Sequence, residues 1–161
     1  MKRVQRILQH PFYQECIQKI AKYEQDREFC GHDMVHFLDV ARIAMLFNLE
    51  ENKKPIRKDL IYGAALLHDI GRYVQYEDGT DHAKASAKLA PGILKDCGYS
   101  AAETELITEA IANHRNKKIR DGSDLKGILY RADKASRPCY GCLMEPECDW
   151  KRKKKNKTLE I

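Results

Sequence analysis

Residues 60–71 read Leu60-Ile61-Tyr62-Gly63-Ala64-Ala65-Leu66-Leu67-His68-Asp69-Ile70-Gly71. Leu60, Ala64 and Leu67 recur at spacings of four and three, the period of one helix face. Pro55 stands where a helix opens and Gly71 where one ends. The segment is apolar for most of its length and then stops on an adjacent histidine and aspartate. Neighbouring helical residues point about 100° apart, so this pair does not form a catalytic dyad with itself. The two can approach one ion from adjacent directions, or simply cap the end of an apolar helix.

The same period recurs on both sides of this stretch. Pro11 starts a first helix reaching to about Asp26, with Phe12, Cys16, Ile20 and Tyr23 on one face. Asp33 can cap a second that carries Val40, Ala44 and Phe47. Asp81 can cap another beginning at His82, which Pro91-Gly92 should break or kink. Ser100-Ala101-Ala102-Glu103 has the form of a capping box, with Leu106, Ile107, Ala110 and Ile111 following on one face. Ser123 or Asp124 can cap a last helix that stops before Pro138. Sustained alternation of β-branched and polar residues is missing. The expectation is one all-α domain, a helical bundle of about six helices.

Length and composition agree. The chain has 161 residues, 43% hydrophobic and 33% charged. That suits one domain with an ordinary core and excludes a disordered chain. No apolar run approaches the roughly 20 residues of a membrane span. Net charge is +5, but residues 151–157 hold six of the 29 basic residues and no acid. The body is therefore close to neutral, which argues against a nucleic-acid-binding surface. The expected organisation is a domain over residues 1–150, including a cysteine-rich loop at 138–150, and a mobile basic tail at 151–161. The first ten residues carry charge with no apolar stretch after them, so no secretory leader is expected and a cytoplasmic location is inferred. The six cysteines are then expected as free thiols or metal ligands rather than disulfides.

The remaining histidines change the weight of His68-Asp69. His36 shares a helix face with Val40. His82 begins its helix, and His114 falls at the end of the stripe that carries Ala110 and Ile111. Asp133 lies beside the Leu125, Leu129 and Ala132 stripe. Each sits on or next to a face that should point inward. Burying any one unpaired costs a few kcal/mol, and a shared cation removes that cost for all of them together.

The ordered set His36, His68-Asp69, His82, His114 and Asp133 resembles the HD-domain superfamily of metal-dependent phosphohydrolases. The first motif is His36-Phe37-Leu38-Asp39-Val40-Ala41, the second His68-Asp69-Ile70-Gly71 and the last Arg131-Ala132-Asp133-Lys134. The resemblance spans roughly residues 30 to 137. It implies a helical bundle with a central site in which His36, His68, Asp69 and Asp133 hold one divalent transition metal. Asp69 would bridge to a second metal held also by His82 and His114. Imidazole and carboxylate together suit Fe, Mn, Zn, Co or Ni without choosing among them. Two such ions would activate a water for attack on phosphorus, with Asp69 as the catalytic ligand common to both.

Candidate cations for the phosphate are Arg72, Arg115, Lys134 and Arg137, the last one turn beyond Asp133. His32, one turn before His36, either reaches the pocket mouth or is a polar residue at a helix start. Cys139, Cys142 and Cys148 form a C-x2-C-x5-C pattern, and Cys30 could supply the fourth ligand of a structural metal or cluster. The alternative is a thiol-rich loop without metal. The expected activity is hydrolysis of a phosphomonoester, phosphodiester or phosphoanhydride of a nucleotide or other small molecule. Two other readings use the same ligands. One is a di-iron oxygenase cleaving C–C or C–P bonds, which this arrangement of four histidines and two aspartates also resembles. The other is a metal-dependent binding or regulatory module.

Overall fold

The computed structural model describes residues 1–159. Among them eight α-helices follow in order: α1 (Lys2–Gln9), α2 (Pro11–Tyr23), α3 (Met34–Glu51), α4 (Lys58–Leu67), α5 (Arg72–Asp78), α6 (His82–Asp96), α7 (Ala101–Asn113) and α8 (Leu125–Ala135). No strand occurs among the described residues. The all-α bundle is as expected, with two helices more than the apolar stripes suggest.

Helix α4 is the axis of the bundle and packs against α1, α3, α6, α7 and α8. Its residues Ile61, Ala64, Ala65, Leu66 and Leu67 are all fully buried. A helix apolar on every side belongs in a core, which is why the stretch at 60–71 organises the fold. The small residues let neighbours come close: a Cβ on Gly63 would stand 3.1 Å from the Tyr99 hydroxyl. The core continues through Phe37, Val40 and Ala44 of α3, Ile93 and Leu94 of α6, Ile107 and Ile111 of α7, and Ile128 and Leu129 of α8.

The caps fall where the sequence places them. Asp33 accepts from the His36 amide at 3.0 Å, and Asp81 from the Ala83 and Lys84 amides at 3.0 and 3.2 Å. Ser100 and Glu103 form the capping box of α7. Asp124, not Ser123, caps α8 through the Gly127 amide at 3.0 Å. The Ser123 carbonyl instead accepts from Asn52 at the end of α3, which fixes α3 and α8 antiparallel. Buried Asn48 ties down the α3–α4 connection, donating to the Ile56 carbonyl at 3.0 Å and accepting from its amide at 2.8 Å. Pro55 precedes α4 by a short loop rather than opening it.

Two expectations change. Pro91 does not break α6, which runs through it from His82 to Asp96. A proline removes one N–H bond, and buried Ala90, Ile93 and Leu94 hold the helix across that gap. Gly71 does not end α4 in a left-handed turn, since its φ is −84°. It is needed for closeness: a Cβ there would lie 2.4 Å from the Ser86 amide nitrogen of α6, and the Gly71 amide donates to Ser86 Oγ at 2.8 Å.

Residues 151–159, expected to hang free, lie against the body. Asn156 Nδ2 reaches the carbonyls of Lys134, Ala135 and Arg137 at 2.8, 3.2 and 2.9 Å. The first two are carbonyls that the end of α8 leaves without helical partners, while the Arg137 carbonyl also accepts from the Cys139 amide. Lys155 bonds the Glu145 carbonyl at 2.9 Å and its carboxylate at 3.0 Å. Glu160 and Ile161, the last residues of the expected tail, lie outside the described residues. No helix among the described residues is long and apolar enough to cross a membrane.

Candidate metal centre

Five helix ends meet at one end of the bundle. The first turn of α3 carries His36, the residues just after α4 carry His68 and Asp69, α6 starts at His82, His114 follows α7, and the last turns of α8 carry Asp133. His68, Asp69, His82, His114 and Asp133 are all buried. The structure thus brings together all six residues that the sequence singles out.

Asp69 is the hub. Its Oδ1 lies 3.2 Å from His82 Nε2 and 3.4 Å from His114 Nε2. Its Oδ2 lies 3.4 Å from His68 Nε2 and 3.9 Å from His36 Nε2. Asp133 Oδ1 stands 3.8 Å from His36 Nε2 and 3.9 Å from His68 Nε2. Among the described residues, the sets of three or more candidate ligand atoms mutually within 4.8 Å are His36–His68–Asp69 and Asp69–His82–His114, and Asp69 belongs to both.

The outer nitrogen of each histidine has a hydrogen-bond partner. His68 Nδ1 donates to the Ala65 carbonyl and His114 Nδ1 to the Ile111 carbonyl, both at 2.7 Å. His36 Nδ1 donates to Ser136 Oγ at 3.3 Å, and His82 Nδ1 lies between Gln75 Oε1 at 2.7 Å and Arg72 Nη1 at 3.0 Å. With Nδ1 protonated, the Nε2 of His36, His68 and His114 turns a lone pair inward, the tautomer that metal-binding histidines adopt.

The Nε2 atoms face one another. His36 Nε2 and His68 Nε2 are 3.4 Å apart, and His82 Nε2 and His114 Nε2 are 3.3 Å apart. Asp69 Oδ1 is buried without a hydrogen bond. Such a cluster of acceptors is repulsive unless protons or cations sit among them. Ligands about 2.1 Å from one ion stand about 3.0–3.4 Å apart, so the closer spacings here are those of a coordination shell.

The electrostatics point the same way. Burial, reinforced by His68, pulls the His36 pKa down to about 4. Burial likewise lowers His82 to about 3 against the pull of Asp69. Both imidazoles are therefore neutral at neutral pH. Burial also acts downward on His68, but Asp69 and Asp133 outweigh it and the net shift is upward. Asp69 lies well below the usual carboxylate range, its burial overcome by His68, His114 and His32. Asp133 is lowered too, its burial overcome by Lys134 and His68.

The cluster forms the floor of a cavity of about 640 Å³. All four expected cations line it. Arg72 donates to Gln75 at 2.8 Å and to His32 Nε2 at 2.7 Å. Arg115 pairs with Asp81 at 2.7 Å. Lys134 pairs with Asp133 and also donates to the His114 carbonyl at 3.3 Å. Arg137 stands over the Trp150 ring, 4.1 Å from its centroid, and donates to the Lys154 carbonyl at 3.3 Å.

Sequence reading left three supports unassigned. Gln75 and Ser136 hold histidines, as described. Glu24 accepts from His32 Nδ1 at 2.5 Å and from the His32 amide at 2.7 Å. His32 Nε2 then lies 3.6 Å from Asp69 Oδ2. Burial alone would raise the Glu24 carboxyl, but bonds from His32 and Tyr76 hold it at about 2. Ser136 carries a faint signal, three residues after Asp133 at the end of α8. Gln75 and Glu24 carry none. Cys30, Cys139, Cys142 and Cys148 line the wall of the same cavity, and none belongs to a set mutually within 4.8 Å.

Comparison with known proteins agrees with this geometry. The family described as HD domain matches residues 34–137. An uncharacterized protein of Clostridium beijerinckii is 44% identical over 156 residues, spanning 97% of each chain. The bifunctional uridylyltransferase/uridylyl-removing enzyme of Bradyrhizobium diazoefficiens is 32% identical over 93 residues, which are 55% of this chain and 10% of that enzyme. The crystal structure of a predicted HD superfamily hydrolase from an uncultured Thermotogales bacterium shares 26% identity at a TM-score of 0.61, covering 91% of this chain and 82% of that one. The span matched by the family contains all six clustered histidines and aspartates, and this chain belongs to the HD-domain family of metal-dependent hydrolases.

Proposed function

We propose that the chain is a phosphohydrolase acting on a small phosphate ester or anhydride, a nucleotide being the favoured class. In this reading His36, His68, Asp69 and Asp133 hold one divalent metal, and Asp69, His82 and His114 hold a second. The observation that carries it is the division of Asp69, which offers one oxygen to each histidine pair and leaves Oδ1 buried without a hydrogen bond.

When bound, the ions supply Lewis acidity toward a phosphoryl oxygen and a water of lowered pKa. The chain's own residues do the rest. Arg72, Arg115, Lys134 and Arg137 place positive charge around the cavity where phosphoryl oxygens gain negative charge. Arg72 is the best placed of the four, because its guanidinium lies between His32 and Gln75, close above the cluster. Glu24 orients His32 so that Nε2 accepts from Arg72, which holds that guanidinium over the cluster. The cavity lies within the roughly 300–1,000 Å³ range of small-molecule sites, which suits a nucleotide better than a polymer. The uridylyl-removing activity in the name of one relative is consistent with a nucleotidyl ester as substrate.

The test is a phosphate-release screen over nucleotides and simple esters with each candidate metal, repeated with Asp69→Ala. Metal-dependent release is expected, and the folded variant should lose at least about 100-fold in kcat, the scale on which transition-state charge stabilisation is lost. Helicity by circular dichroism establishes that the variant is folded, since bound metal also supports folding. Substantial kcat in folded Asp69→Ala contradicts the assigned role. Turnover that consumes oxygen and releases no phosphate by hydrolysis replaces this reading with the oxygenase one.

A further inference from the structure

The cavity has a second group of metal-binding side chains, well separated in kind from the histidine floor. Cys139, Cys142 and Cys148 lie in one loop whose turns are held by backbone bonds: Cys142 N–H to the Cys139 carbonyl at 3.4 Å, Glu145 N–H to the Cys142 carbonyl at 3.2 Å, and Cys148 N–H to the Glu145 carbonyl at 3.3 Å. Cys30 comes from the connection between α2 and α3, more than a hundred positions away in sequence, and lines the same wall. None of the four is in a disulfide.

A single tetrahedral ion with bonds of about 2.3 Å sets its sulfurs about 3.8 Å apart. No three of these sulfurs are mutually within 4.8 Å. In a four-iron cluster each thiolate binds a different iron at a corner of the cube, so its sulfurs stand farther apart than one ion allows. Such a centre with four thiolates has net negative charge, and the loop is flanked by cations. Arg137 lies against Trp150 just past Cys148. Lys155 bonds Glu145, inside the span from Cys142 to Cys148.

We propose that Cys30, Cys139, Cys142 and Cys148 hold a [4Fe–4S] cluster that ties the C-terminal loop to the α2–α3 connection and closes the outer wall of the cavity. Each thiol binds one iron through sulfur and gives up its proton to solvent, and the cluster enters already assembled. The proposal does not depend on the reaction assigned to the histidine site.

The test uses the full chain, expressed with iron and purified without oxygen. About four irons and four acid-labile sulfides per chain are expected in addition to metal at the histidine site, with a broad absorption band in the visible that bleaches on reduction. Sulfide separates this iron from any iron bound by histidine. Cys142→Ser and, separately, Cys30→Ser should lose the sulfide and the band, whereas Cys97→Ser, a buried thiol outside the cavity, should keep them. His82→Ala should also keep them. The unmodified protein settles the matter even if a cysteine variant misfolds. One zinc per chain without sulfide, no thiol-bound metal at all, or a band unaffected by Cys142→Ser in folded protein would overturn the cluster.

Discussion

Asp69 and its four histidines form a site whose members are neutral or paired only in concert, and this has a consequence for pH. The unfolded chain takes up protons on its histidines near pH 6.5. In the folded, metal-free protein His36 and His82 resist protonation until about pH 4 and about pH 3. Below about 6.5 the unfolded state therefore binds more protons and stability falls with pH, by up to about 1.4 kcal/mol per pH unit for each group. The raised pKa of His68 acts oppositely: its contribution is full at low pH and fades as pH rises through the folded value. Urea unfolding of chelator-treated protein between pH 7.5 and 5 should show the net loss, and His82→Gln should flatten it. An unchanged slope in His82→Gln would remove His82 from that account. At this scale the sequence was informative for the six residues that cluster, because a charged or imidazole residue on an apolar stripe stands out. It was silent on Gln75 and Glu24, whose polar side chains look like any exposed residue until the fold turns them inward.

Among the helices, the decisive contact is the one between the end of α4 and α6. Gly71 lets the Asp69 turn approach Ser86, which sits one turn beyond His82 on the same helix. Replacing it with alanine puts a methyl group against backbone that cannot yield as a side chain can. Gly71→Ala is expected to cost about 1–3 kcal/mol, the usual scale of overpacking, and to weaken metal binding at His82 and His114 more than at His36 and His68. Denaturant unfolding and metal titration measure the two effects. A loss of stability with both metal affinities unchanged would show that the contact supports the fold alone. Most helices were readable from their stripes and caps. Helix α1 was not, since only Val4 and Ile7 of its eight residues are buried. Helix α5, seven residues with Tyr73 alone buried, is too short for a period to show. Pro91 was misleading because a local rule was overridden by packing on both sides of it.

For the whole molecule, the floor of the cavity comes from the bundle and its wall from segments that follow or interrupt the bundle. The basic segment is held against the body by Asn156, which reaches the carbonyls at the end of α8, and by Lys155, which pairs with Glu145. Asn156→Ala should lower stability by about 1–2 kcal/mol, since the carbonyls ending α8 lose their donor. Changing Lys151, Arg152 and Lys153 together to glutamine should leave kcat/KM within about twofold, because exposed charges are screened over about 10 Å at 0.1 M salt. Thermal unfolding and steady-state kinetics on both variants distinguish the roles, and a collapse of activity in the triple-glutamine variant would point to a polyanionic substrate. Composition showed the charge run but could not show one asparagine in it reaching back to α8. The most direct test of the account is the number of metals at the helical site. It is measured by elemental analysis after mild loading, in protein whose Cys30, Cys139, Cys142 and Cys148 are changed to serine so that only the histidine site is counted. Two equivalents per chain are predicted, falling to one in the same background with His82→Ala. A single equivalent that His82→Ala leaves unchanged would contradict the shared role of Asp69.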